Sequence, residues 1–267
     1  MKLSVLIPVY NEKRYLLVLL ARVLLVSLEH AIRKEIVLVE DCSSDGTKEI
    51  VQKLQVSPVE MLIPYLQEQS ELSAAECEAL IRGCEFQILF QPVNKGKGAA
   101  IRRAIDASTG DIVLIQDADL EYNPKDYNRL LQPILIDDAD VVYGSRFKGE
   151  CTKVLYYRHT LGNKFLTFLS NLFTDLNFTD METCYKVFKG PIIRRLYLTS
   201  DRFGFEPEVT ARIAKARLHI FEAPISYNGR TYADGKKITW RDGLAALWFI
   251  VKFNLFSHKI YRDETTT

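Results

Sequence analysis

With 267 residues, 48% of them hydrophobic, the chain is long enough for one sizeable core or two small ones. Its formal net charge of +1 sets up no global field, which removes the electrostatic case for a nucleic-acid partner. The five cysteines (Cys42, Cys77, Cys84, Cys151 and Cys184) are odd in number and lack Cys-x-x-Cys spacing, so they read as reduced cytosolic thiols serving as small hydrophobes.

Lys2 leads straight into the strand-like Leu3–Val9, without the apolar leader or small-residue cleavage site of a secreted chain. The apolar stretch from Leu16 to Leu28 is interrupted by Arg22, and Leu244–Val251 falls short of the roughly 20 residues a spanning helix needs. A cytoplasmic protein is expected, free or peripheral on the cytoplasmic face of a membrane.

The first half alternates short apolar runs with helical patterns, the signature of a parallel sheet with crossover helices. Strands are predicted at Leu3–Val9, Glu35–Glu40, Phe86–Gln91, Ile112–Gln116 and Val141–Gly144, and helices at Lys13–His30, Thr47–Gln55, Gly98–Ser108 and Pro124–Ile136. Residues 57–84 lengthen the second crossover beyond what one helix and a loop require. This reads as a helical insertion, either a surface excursion or an oligomer contact, with Ser73 and Glu76 in capping-box spacing.

In the second half, Leu161–Phe173 carries an apolar aromatic face, Phe205–Ala216 reads as a helix and His219–Tyr227 as a strand. A last amphipathic helix starts at the N-cap Thr239, with Asp242 in its first turn. The chain divides into a catalytic unit over 1–238 and a C-terminal helix and tail over 239–267 that pack on that unit or on a membrane surface. Lys164, Lys252 and Lys259 are placed to meet anionic headgroups.

The strongest chemical signal is Gln116-Asp117-Ala118-Asp119-Leu120-Glu121, directly after an apolar strand. Continued strand geometry would put Asp117, Asp119 and Glu121 on one face, where only a cation relieves their repulsion. Hard oxygen ligands suit Mg²⁺ or Mn²⁺, completed by diphosphate oxygens and water. Ligands of open parallel sheets bind beyond the carboxyl ends of the strands. The same edge therefore carries Pro8-Val9-Tyr10-Asn11-Glu12 and Glu40-Asp41-Cys42-Ser43-Ser44-Asp45-Gly46-Thr47. Tyr10 offers an aromatic surface to a base, and Asp41 an acceptor to a ribose or base. Asn94-Lys95-Gly96-Lys97-Gly98 opens a helix whose N-terminus favours an anion, but it has neither Walker A nor Rossmann spacing. Arg146, Arg230, Lys236 and Lys237 supply cations suited to phosphates.

In order and spacing these motifs, extended by Gly144-Ser145-Arg146-Phe147, Asp180–Lys186, Gly204-Phe205-Glu206-Pro207-Glu208 and Gly229–Lys237, resemble family 2 glycosyltransferases. Within that family the likeness is to the dolichol-phosphate mannosyltransferase-like group, which glycosylates polyprenyl phosphates. It runs from Leu3 to about Phe256, with the insertion set aside. The resemblance implies a GT-A-type nucleotide-diphospho-sugar transferase fold: α/β, with a mostly parallel central sheet flanked by helices. It implies that Pro8, Tyr10, Glu12 and Asp41, with Lys97 and Asp117, bind the donor. Asp117, Asp119 and Glu121 then hold Mg²⁺ or Mn²⁺, and Asp119, Arg146, Arg230 and Lys237 act in catalysis and phosphate handling. Glu40 stands where relatives carry Asp, and Glu121 where they often carry Gln.

The expected reaction is inverting transfer of a hexose from GDP-mannose or UDP-glucose to a polyprenyl or dolichyl phosphate. One alternative is a soluble or polysaccharide acceptor with Glu206 or Glu182 as base. The other is a nucleotide-sugar-binding protein without turnover.

Overall fold

Leu3, Val5, Leu6, Ile7 and Val9 leave the first strand no polar face, and such a strand must be covered on both sides. The structure, a computed structural model describing residues 1–149, 156–230 and 240–263, provides that cover. Its strands are β1 (Lys2–Val9), β2 (Arg33–Glu40), β3 (Glu85–Phe90), β4 (Ile112–Ile115), β5 (Val141–Ser145), β6 (Lys186–Lys189) and β7 (Ile220–Pro224). They form a 7-stranded sheet in the order β3-β2-β1-β4-β6-β5-β7. All pairings are parallel except those of β6, which runs antiparallel between β4 and β5.

The reversed strand positions the site. Ile112 pairs with Lys189 and Leu114 with Val187, so β6 begins where β4 ends. The segment entering it, Asp180–Tyr185, therefore opens on the same edge as the carboxyl ends of β1, β2 and β4. The parallel β7 delivers Ser226–Arg230 to that edge as well. The strand expected over His219–Tyr227 stops at Pro224, and Tyr227 keeps only a bridge to Tyr122.

Helix α1 spans Leu16–Leu25 rather than Lys13–His30. The Lys34 ammonium donates to the carbonyls of Val23 and Leu24, closing the helix's C-terminal end. Helix α2 (Thr47–Val56) follows β2. The insertion forms α3 (Pro58–Gln69) and α4 (Ala74–Arg82), the latter with the expected Ser73–Glu76 capping box. It is not a surface excursion: α3 packs on α1 and α4, and Leu62, Leu66, Cys77 and Ile81 join the core.

Helices α5 (Lys97–Ala107) and α6 (Tyr127–Ile136) complete the first half. In the second half α7 (Tyr157–Thr174), α8 (Gly190–Arg195) and α9 (Phe205–Lys215) are followed by α10 (Trp240–Val251), which runs into a π-helical turn at Lys252–Phe256. Cys42, Cys77, Cys84 and Cys184 are free thiols. Lys236, Lys237, Thr239 and Cys151 lie outside the described residues, as does the Asp242 side chain.

Candidate active site

The loops after β1 and β2 are tied together. The Asn11 amide donates to Ser43 Oγ (3.0 Å), the Ser44 amide to Asn11 Oδ1 (2.9 Å) and the Glu12 amide to Thr47 Oγ1 (3.0 Å). Asn11 takes the left-handed conformation (φ 54°), which Asn tolerates better than most residues. The turn leaves Tyr10 exposed (40%) while Pro8 stays half-buried in β1.

Asp41, at the end of β2, is buried, and its carboxylate is spent on the glycine loop. It accepts from the Lys95 and Gly96 amides (2.8 and 2.7 Å) and from Gln91 Nε2 (2.9 Å). Asp41 thus shapes the start of α5, where Gly96 adopts φ +95°, a conformation that suits glycine.

That loop aims Lys97 at the end of β4. Lys97 Nζ lies 2.9 Å from Asp117 Oδ1, 3.0 Å from Asp117 Oδ2 and 3.1 Å from Glu206 Oε1. Burial pulls the ammonium down, but the surrounding negative groups, Asp117 foremost, hold it well above the usual lysine range.

The acidic run does not continue as a strand. β4 ends at Ile115, and residues 118–120 turn, with Leu120 at φ 62°. The single three-carboxylate face expected from period-two geometry is absent, and among the described residues no group of three or more His, Cys, Asp or Glu side chains is arranged to hold a metal. The three acids are instead divided. Asp117 takes Lys97. Glu121 accepts from the Tyr227 hydroxyl (2.7 Å) and the Arg230 amide (2.8 Å), one bond on each carboxylate oxygen. Asp119 accepts from the Glu121 amide (3.1 Å). Burial, then the nearby charges of Asp117 and Glu121, push the Asp119 carboxyl up to about 7, with Arg230 opposing.

Asp119 is therefore the crowded acid, with coordinating capacity left, and it fits one divalent cation shared with diphosphate oxygens. Glu121 is the more engaged of the two, with a protein donor on each carboxylate oxygen against one on Asp119.

The expected phosphate-binding arginines are also engaged. Arg146 donates from Nε and Nη2 to Asp180 (2.7 Å each) and lies 5.1 Å from the Tyr227 ring centroid. Arg230 bonds Glu12 Oε2 (2.8 Å) and the Asp119 carbonyl (2.8 Å), 4.5 Å from the Tyr15 ring centroid.

A tyrosine floor beneath the turn was not anticipated. Tyr127 and Tyr185 both donate to Gln116 Oε1 (2.8 and 2.7 Å), and Tyr122 packs 4.9 Å from Tyr185 and 5.3 Å from Tyr227. The closeness of Tyr122 and Tyr127 to the acidic run is the one signal that could have pointed to it. Beside this floor, Glu182 Oε1 and Thr183 Oγ1 are buried without a hydrogen-bond partner. Burial and then Glu206 push the Glu182 carboxyl up to about 7, against Lys186 and Arg146.

Residues 4–196 match Glycosyl transferase family 2. The chain belongs to that family. This glycosyltransferase is 26% identical over 250 residues to the dolichyl-phosphate β-glucosyltransferase of Dictyostelium discoideum, covering 88% of this chain and 68% of the relative. It is 30% identical over 146 residues to the low-salt glycan biosynthesis hexosyltransferase of Haloferax volcanii. That match covers 54% of this chain and only 35% of the longer relative. Glucosyl-3-phosphoglycerate synthase from Mycobacterium tuberculosis, solved with Mn²⁺, UDP and glucosyl-3-phosphoglycerate, superposes with a TM-score of 0.63 at 15% identity, over 95% of this chain and 80% of that one. The sheet and its helical layers are thus of the GT-A type.

Proposed function

We propose that this family 2 glycosyltransferase moves a hexose, with inversion, from a nucleoside diphosphate-sugar such as GDP-mannose or UDP-glucose to a polyprenyl or dolichyl phosphate. The observation that carries the reading is the meeting of Lys97, Asp117 and the crowded Asp119 where β4 ends. The dolichyl-phosphate relative favours a lipid phosphate as acceptor, and the neighbour solved with UDP and Mn²⁺ favours a nucleotide donor with a divalent ion.

In this mechanism Tyr10 faces the base, and the turn built by Pro8, Asn11 and Glu12 shapes the nucleoside end. Asp41 acts by holding the glycine loop in place. Lys97 meets the diphosphate, exchanging part of its pairing with Asp117 for phosphate oxygens. Mg²⁺ or Mn²⁺ held by Asp119, with Asp117 beside it, would neutralise charge on the departing diphosphate. The acceptor needs little activation: a phosphate monoester, with a second pKa of about 6, is largely dianionic at neutral pH. The chain's work is then orientation and stabilisation of the leaving group. Arg146 and Arg230 brace the walls from Asp180 and Glu12, and Lys237 remains a candidate for the acceptor phosphate. No helix among the described residues is long and apolar enough to cross a membrane, and the proposed setting is the cytoplasmic face of one.

Asp119→Asn tests the reading. Nucleoside diphosphate with Mn²⁺ is expected to raise the Tm of the wild type, and the variant is expected to lose the Mn²⁺-dependent part together with transfer to polyprenyl phosphate. Transfer by Asp119→Asn at the wild-type rate would overturn it.

A second reading, with a hydroxyl acceptor, draws on Glu182. A carboxyl titrating at about 7 is matched to general-base work. A rate that rises through that pH with a hydroxyl acceptor and vanishes in Glu182→Gln would favour it.

A further inference from the structure

Helices α7 and α10 pack on each other and both pack on α9, and each leaves an apolar face in solvent. On α7, Leu161, Phe165, Phe168 and Leu172 recur at i, i+4, i+7 and i+11 and are each more than half exposed, Phe168 at 61%. The opposite side of the helix buries the small Thr167 and Ser170. On α10 and its π-helical extension, Leu244, Trp248 and Leu255 are exposed, Trp248 at 59%, while Ala246, Ile250 and Phe253 are buried. Exposed apolar faces on two helices packed together mark an interaction surface.

Charge identifies the occupant. Tyr157–Thr174 contains no Asp or Glu and Trp240–Arg262 only Asp242, whereas Arg158, Lys164 and Lys252 flank the apolar face. A second copy docking through a two-fold axis would add a second set of these cations to one interface with almost no acid to offset them. An anionic bilayer satisfies both features at once, apolar side chains entering the acyl boundary and cations meeting headgroups.

We propose that the paired outer faces of α7 and α10 form a docking surface for an anionic lipid bilayer, which the chain meets side-on without crossing. The surface extends the lipid-phosphate reading above by naming where the membrane sits, and its readout is separate from sugar transfer.

The test uses the full chain with Trp240→Phe, leaving Trp248 as the sole tryptophan. Vesicles of phosphatidylcholine, with and without phosphatidylglycerol, are sedimented with the protein. Cosedimentation and a blue shift of Trp248 emission are expected on anionic vesicles, with binding at least ~10-fold weaker on neutral ones. Phe168→Glu and Leu172→Glu, both solvent-facing and checked by melting, are expected to lower binding by a similar factor.

Equal recovery in the supernatant with and without anionic vesicles overturns the proposal. So does a wild-type dimer that Phe168→Glu dissociates and that binds no vesicle. Transfer to detergent-dispersed polyprenyl phosphate without vesicle binding sinks this surface and leaves the function standing. Vesicle binding without transfer to any lipid phosphate does the reverse.

Discussion

Lys97 Nζ sits almost equidistant from the two carboxylate oxygens of Asp117, at 2.9 and 3.0 Å, and reaches Glu206 at 3.1 Å. One ammonium thus serves two acids from different parts of the chain. Removing it should leave Asp117 without its cation, take one of the cations facing Glu206, and remove a positive charge from the proposed diphosphate site. Lys97→Met is expected to lower kcat/KM on the order of 10²–10³-fold. Lys97→Arg should recover little, because a planar fork does not replace a point charge held between two carboxylates. Steady-state kinetics at saturating Mn²⁺ check this, and wild-type turnover by Lys97→Met would refute it.

The Arg230–Glu12 pair should contribute to stability as well as to the site. Both side chains are nearly buried, 11% and 10% exposed, and the guanidinium also holds the Asp119 carbonyl. Arg230→Lys keeps the charge and loses the fork, and is expected to cost about 1–3 kcal/mol in urea unfolding. Glu12→Gln combined with it should fall short of additivity, since the two share one interaction. If Arg230 instead acts only on phosphates during transfer, kcat will fall while the unfolding midpoint stays put.

The parallel half of the sheet was legible because its strands are near-continuous apolar runs closed by Asp, Asn and Gly turns. The same runs put the Asp41 and Gly96 loops at strand ends, though nothing local shows that the Asp41 carboxylate is taken up by the Lys95 and Gly96 amides. β6 was missed: Lys186-Val187-Phe188-Lys189 is short and charge-flanked, and nothing local reveals that Lys186 is buried with its ammonium on the Met181 and Thr183 carbonyls. The uses of the two arginines were hidden for a related reason. Their partners lie 34 residues away for Arg146 and 218 for Arg230, so motif spacing identifies the cations without saying what neutralises them. The acidic run is visible as a motif at the end of an apolar strand, but its geometry is not, because Leu120 at positive φ defeats a period-two argument.

Gly98 should tolerate no side chain. A Cβ there would lie 2.4 Å from the Ser200 carbonyl oxygen and 3.0 Å from that of Arg202, both backbone atoms with little room to give. Gly98→Ala is expected to destabilise by about 1–3 kcal/mol, the usual range for overpacking. By displacing the start of α5 it should also raise KM for the donor. Thermal melts and donor titrations test the two effects together, and an unchanged Tm would show that the 199–202 loop moves aside at little cost.

Glu182 gives a pH dependence with a definite sign. Burial, followed by repulsion from Glu206, raises its folded-state carboxyl to about 7 from the ordinary value of 4.5, with Lys186 and Arg146 opposing. The native state therefore binds more protons than the unfolded chain between these values. The stability this confers is complete below the unfolded pKa and is lost as pH rises through about 7. Wild-type stability should thus decline from pH ~5 to pH ~8 by no more than about 3 kcal/mol from this group. Glu182→Gln, neutral at every pH, should flatten that decline and be the more stable protein at the alkaline end. Chemical denaturation of both proteins across this range decides it, and parallel profiles would mean that Glu182 is ionised throughout, held by Lys186 and Arg146.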